Sequence, residues 1–189
     1  MESGGSLLAR ISRLSSRERA LAAAYGTGDG SVEADKERAV ADSARALDAS
    51  SVPYALIGGI AVGIHSGAIR ATVDVDIAAS TSTGRERAVA ALEGAGFRKT
   101  GEFEHSVNFR HPSGEPVQLA FDPAFDEMIL RAEMFETRGV QVRIVRKQDL
   151  IAMKERAAAD PTRRESKRHR DRADVALLRG DVPDPDEGW

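Results

Sequence analysis

The sequence predicts an α+β fold: a mixed sheet of short strands with helices packed on it, plus further helices at both ends. Three observations carry this. Short apolar or strictly alternating runs recur between positions 54 and 145. Stretches with apolar residues at helical spacing separate them, and two more precede residue 50. Glycine- and proline-containing turns divide one stretch from the next. A chain of 189 residues suits one compact domain with peripheral helices.

Residues 1–5 read as disordered. Ser6 caps a helix to about Tyr25, with Leu7, Leu8, Ile11, Leu14 and Leu21 on one side. Gly26 to Gly30 ends it. A second helix, from about Val32 to Ala49, turns Val40, Ala44 and Leu47 inward, and Pro53 stops it. Residues 1–50 thus form an N-terminal helical extension, with the sheet or a partner as its packing surface. The core, 51–158, opens with the apolar strand Tyr54–Ile57. Gly58-Gly59 and a short helix through Ile60, Ala61, Ile64 and His65 follow.

Val73 to Ile77 alternates, so Val73, Val75 and Ile77 face the core while Asp74 and Asp76 share the other face. Ala78 to Thr83 is small and polar and is expected to be mobile. Thr83 caps a helix over Gly84–Glu93. Phe97–Lys99 reads as an edge strand, and Glu104–His111 with Val117–Phe121 as a hairpin. Pro123 starts a helix to about Glu136, with Phe125, Ile129 and Phe135 inward. Thr137-Arg138-Gly139 turns into a strand over Val140–Val145, and Gln148–Ala158 is a helix carrying Leu150, Ile151 and Met153. Residues 159–180 form a C-terminal helical segment and 181–189 an acidic tail.

Composition excludes several functions. With no cysteine there is no disulfide or thiolate chemistry. The net charge of −3 and pI near 5.9 give no global attraction to nucleic acid. No apolar run approaches the roughly 18 residues of a membrane span. The N-terminus lacks the pattern of a secretory signal, so a cytoplasmic location is expected.

Asp74 and Asp76, side by side, repel each other unless a cation sits between them. Magnesium or manganese carried by a nucleoside triphosphate suits that place. The phosphates then lie against the Gly58-Gly59 turn and the amides of the following helix. A second charged feature, Arg163, Arg164, Lys167, Arg168, His169, Arg170 and Arg172, reads either as a solvated helix surface or as a phosphate-contacting one.

Gly58, Gly59, Ala61 and His65, followed by Arg70, Thr72, Asp74 and Asp76, together with QDLIAMK at 148–154 and RDRADVALL at 170–178, carry a resemblance. The sequence resembles the nucleotidyltransferase superfamily of DNA polymerase beta, and in particular its minimal AbiEii-type branch, which includes toxin–antitoxin proteins. The resemblance implies a polymerase-beta-type fold and transfer of a nucleoside monophosphate from a triphosphate to a hydroxyl of RNA, protein or a small molecule. It implies Asp74 and Asp76 as catalytic metal ligands for two ions, and Gly58 and Gly59 as walls of the phosphate pocket. Arg70 would reach a phosphate, and Lys154 would contact phosphate or pair with Asp74 or Asp76. Asp171 and Asp174 would cap or salt-bridge the C-terminal helices, and His65 is read as a packed, hydrogen-bonded residue. Transfer RNA, another RNA or a protein partner is the implied company.

One position departs from the pattern. Active members carry a third carboxylate on the strand beside the Asp-x-Asp strand, and here that place falls on Gln118. Glutamine is neutral and no general base. Asp122, about 13 Å further along an ideal strand, and Glu115 are the available substitutes.

Overall fold

The computed structural model describes residues 35–68 and 72–182. The predicted helix up to Tyr25, Arg70 and the tail beyond Val182 lie outside the described residues.

In chain order the elements are α1 (Lys36–Ala49), β1 (Tyr54–Ile57), α2 (Gly58–Ser66), β2 (Val75–Ala79), α3 (Arg85–Gly94), β3 (Arg98–Phe103), β4 (Ser106–Arg110) and β5 (Pro116–Ala120). A 3-10 turn (Pro123–Phe125), α4 (Asp126–Leu130), β6 (Glu133–Thr137), β7 (Val140–Ile144), α5 (Lys147–Ala159) and α6 (Glu165–Leu178) follow. The strands form one mixed seven-stranded sheet in the order β3-β4-β5-β2-β1-β7-β6. This is the predicted α+β architecture.

The two innermost strands are the most apolar. All four residues of β1 are buried, as expected of a strand covered on both faces. β1 runs antiparallel to β2 and parallel to β7, while β2 runs parallel to β5. Edge strand β3 exposes Arg98 and Lys99, side chains that discourage further pairing. α1 begins at an Asp35 cap whose carboxylate accepts from the Arg38 amide at 2.9 Å. It packs on the sheet against β7 and on α3, burying Val40, Ala44 and Leu47. α5 and α6 pack on each other and on α2, so the C-terminal helices cover the helix that follows the glycines. Among the described residues no helix is long and apolar enough to cross a membrane.

Three local expectations are corrected. Val73 is 71% exposed and does not face the core, because residues 73 and 74 form a bend and the pleat begins only at Val75. The helix expected from Pro123 to Glu136 breaks after Leu130, and Glu133–Thr137 is instead a strand paired with β7. Arg138 (φ 50) and Gly139 (φ 68) supply the two left-handed residues of a tight hairpin turn, which fixes β6 as a strand. Thr83 does not cap α3; Gly84 holds that position with no side-chain bond. The neighbouring Thr81 is anchored, since its amide donates to Asp126 at 2.9 Å.

Candidate active site

Asp76 lies in the middle of the sheet, facing Ile57 across the β1–β2 ladder and Gln118 across the β2–β5 ladder. Its carboxylate is packed on the glycine turn. A Cβ built on Gly58 would stand 2.0 Å from Asp76 Oδ2, and Gly58 itself has φ +69. Both facts require glycine at this position. The turn leads directly into α2, whose first amides lack intrahelical acceptors.

Asp74 is not in the strand but in the bend before it. It nonetheless lines the same cleft as Asp76, a space of about 710 Å³ that also takes in Gly59 and Gln118. Arg163, before α6, and Lys167 and Arg170, on α6, line this cleft as well. Part of the basic cluster therefore converges on the two carboxylates. A second cleft, of about 690 Å³, shares Asp76, Gln118 and Lys154 with the first and adds Gly58, Asp122, Phe125 and Met153. Asp76 and Gln118 stand where the two meet.

Lys154 lines both clefts, but its ammonium is held elsewhere than expected. It binds Asp171 at 2.9 Å and Asp174 at 2.8 Å, not Asp74 or Asp76. Both carboxylates are almost fully buried, and Arg163 joins Asp171 at 2.8 Å. Two carboxylates out of water need cationic partners, and the α5–α6 pair supplies them. The salt-bridging read for Asp171 and Asp174 is what the helices contain. His65, half-buried, contacts the Val145 carbonyl through Nε2 at 2.7 Å, a packed and bonded residue.

The third-carboxylate position is neutral in space as in sequence. Gln118 pairs with Asp76 in register and donates to Asn108 Oδ1 at 3.1 Å. Asp122 lies past the end of β5, is exposed and accepts from the Ala124 amide, so it caps the 3-10 turn. It reaches the second cleft but does not line the cleft of Asp74. Glu115 lines neither cleft: it is buried and bound to Lys36 at 2.6 Å. Lys36 also donates to the Val73 carbonyl at 2.9 Å. Sequence reasoning missed Lys36, although its spacing from Val40, Ala44 and Leu47 sets it on the buried face of α1.

The donor set fits a cation that arrives with a nucleotide. Magnesium is commonly held by one or two carboxylates and completes its shell with phosphate oxygens and water. Asp74 and Asp76 meet that need, and the Gly58 turn leaves Asp76 Oδ2 the space a side chain would take. Among the described residues no group of three or more His, Asp or Glu could hold a metal ion by itself.

No family model matches the sequence, and no curated protein is similar to it in sequence. Solved structures do match. One is ANT(2")-Ia in complex with adenylyl-2"-tobramycin, with a TM-score of 0.55 and 18% identity over 77% of this chain and 90% of that one. Another is an antigenic nucleotidyltransferase-like protein from Paracoccidioides brasiliensis, with a TM-score of 0.52 and 20% identity over 75% of this chain and 74% of that one. At such identities the likeness is one of fold, and that fold is the polymerase-beta-like fold of nucleotidyltransferases.

Proposed function

We propose that this chain is a metal-dependent nucleotidyltransferase of the AbiEii-like kind, transferring a nucleoside monophosphate from a nucleoside triphosphate to a hydroxyl acceptor. One observation carries the reading: the Asp76 carboxylate packs on the Gly58 turn and shares a cleft with Asp74 and four cationic side chains. Asp74 and Asp76 hold magnesium or manganese together with the triphosphate. The first amides of α2 and the side chains of Arg163, Lys167 and Arg170 take phosphate oxygens, with Arg70 as a further phosphate ligand. Lys154, fixed by Asp171 and Asp174, keeps positive charge beside them. Magnesium, when bound, supplies positive charge against the phosphates and the attacking oxygen.

The acceptor oxygen attacks the α-phosphorus, the bond to the bridging oxygen breaks, and pyrophosphate leaves. Gln118 accepts no proton at neutral pH, so the hydroxyl proton passes to solvent. The basic residues of α6 that extend past the cleft favour an RNA acceptor, with protein and small-molecule hydroxyls as the other classes. The cytoplasm is the expected compartment.

The test is incubation with α-labelled triphosphates, magnesium or manganese, and pools of transfer RNA, proteins and small alcohols. Label transfer is expected from the parent and should vanish in the Asp74→Asn/Asp76→Asn protein, whose fold persists. A folded parent that labels nothing with either metal sinks the proposal.

A second reading has its own observation. The neutral Gln118–Asn108 pair stands where active members have a carboxylate, which favours a nucleotide-binding protein without turnover, such as one half of a toxin–antitoxin pair. Calorimetric binding of magnesium nucleotide without turnover, followed by activity in Gln118→Asp, would identify it. Repeated turnover by the parent excludes it.

A further inference from the structure

The bend that carries Asp74 is held by polar contacts rather than by packing. Val73 turns its side chain to solvent, and the pleat has not yet begun. Within the bend the Thr72 hydroxyl donates to the Asp74 carbonyl at 3.4 Å, and the Val73 carbonyl accepts from Lys36 Nζ at 2.9 Å. The same ammonium binds Glu115 Oε2 at 2.6 Å, and both side chains are wholly buried. Glu115 immediately precedes β5, the strand that brings Gln118 opposite Asp76.

A buried ion pair is a poor way merely to dock a helix. Removing two charges from water is costly, and an apolar pair of similar volume often serves stability as well or better. An apolar pair, however, cannot hold a carbonyl in an irregular segment. We propose that Lys36 and Glu115 are positioning residues for Asp74: Lys36 ties the first turn of α1, the bend at Val73 and the approach to β5 into one unit, so that the Asp74 carboxylate is preset beside Asp76. The inference rests on the reading of Asp74 and Asp76 as the metal-binding pair. It also makes the helix assigned by sequence to an N-terminal extension a builder of the site.

The test uses the full chain and manganese as the probe. Lys36→Met alone leaves Glu115 buried without its cation and is expected to unfold or weaken the protein. The informative protein is Lys36→Met with Glu115→Met, which removes the charge and the donor together while keeping volume. A cooperative urea transition near the parent's establishes its fold. Amide exchange of residues 72–75, followed by mass spectrometry without metal, is expected to speed up about tenfold or more, and manganese affinity to fall about tenfold, within the range of outer-shell effects. Glu115→Gln alone leaves the Lys36 ammonium buried without this carboxylate and is likewise expected to weaken the protein. A folded double variant with parental exchange and parental manganese affinity overturns the positioning role and leaves the metal reading intact. A folded parent that binds no manganese overturns the metal reading, and the positioning role with it.

Discussion

Replacing Gly58 with alanine tests the centre of the site, and the structure provides its own control. Gly58 opens α2 and Gly67 follows its last residue, with nearly the same φ, +69 and +73. An L-residue in that region costs about 1–2 kcal/mol. At Gly67 nothing lies within 4 Å of the added Cβ, so Gly67→Ala should lose only that amount. At Gly58 the new Cβ would stand 2.0 Å from Asp76 Oδ2 and 2.7 Å from Asp76 Cβ. The far carboxylate oxygen can swing away, but Cβ moves only with the strand. Forcing Asp76 off its rotamer adds about 0.5–1.5 kcal/mol, for a total of about 1.5–3.5 kcal/mol. Paired urea titrations read the difference between the two variants. Manganese titration reads the displaced carboxylate, where a drop of about 10–100-fold is expected for Gly58→Ala and little change for Gly67→Ala. Equal destabilisation of the two, with manganese affinity unchanged, would refute the packing of Asp76 on the turn.

Lys154→Met removes the lysine from two almost fully buried carboxylates, and thermal or urea unfolding should record a loss of about 3–5 kcal/mol; a loss near zero would mean that Arg163 and water satisfy Asp171 and Asp174 alone. Gln118→Asp sets a carboxylate opposite Asp76, so the protein should lose stability in chelator and regain it with manganese, whereas a metal-independent urea midpoint would place residue 118 away from the ion. Burial pushes the His111 imidazole below its ordinary value of 6.5, against the pull of Asp42 beside it. The unfolded chain then binds more protons than the folded one, so stability is complete above about pH 6.5 and falls as pH drops toward the folded value; His111→Asn should flatten that part of the urea-midpoint profile.

What could be read from the sequence follows the range of the interactions involved. The β1–glycine–α2 unit and the β4–β5 hairpin declare themselves through contiguous residues, as Tyr54–Ile57 and the alternation around Val107 and Phe109 show. β6 did not, because Met134 and Phe135 fit either a helix or a strand, and only the Arg138-Gly139 turn and pairing with β7 decide between them. Gln118 was placed beside the Asp-x-Asp strand through the family resemblance, and the β2–β5 register sets it opposite Asp76. Asp74 reaches the same cleft by a bend that no alternation encodes. Lys154 could be placed on its helix but not given its partners, which come from the next helix. Lys36 drew no reading from the sequence, and its burial depends on a carboxylate 79 residues away.

That separation bears on when the site comes into being during synthesis. The Asp74 bend is fixed by a lysine made earlier and by a glutamate made 79 residues after that lysine, and the clefts are lined by side chains as late as Arg170 and Asp171. Contacts of such long range form late, after the cost of closing the intervening loops has been met. A chain still emerging from the ribosome therefore presents Asp74 and Asp76 without their cationic surroundings, and a product cut short before α6 lacks Arg170, Asp171 and Asp174 altogether. Under the proposed function, phosphate chemistry requires α6, so a product cut short before that helix is expected to be inert.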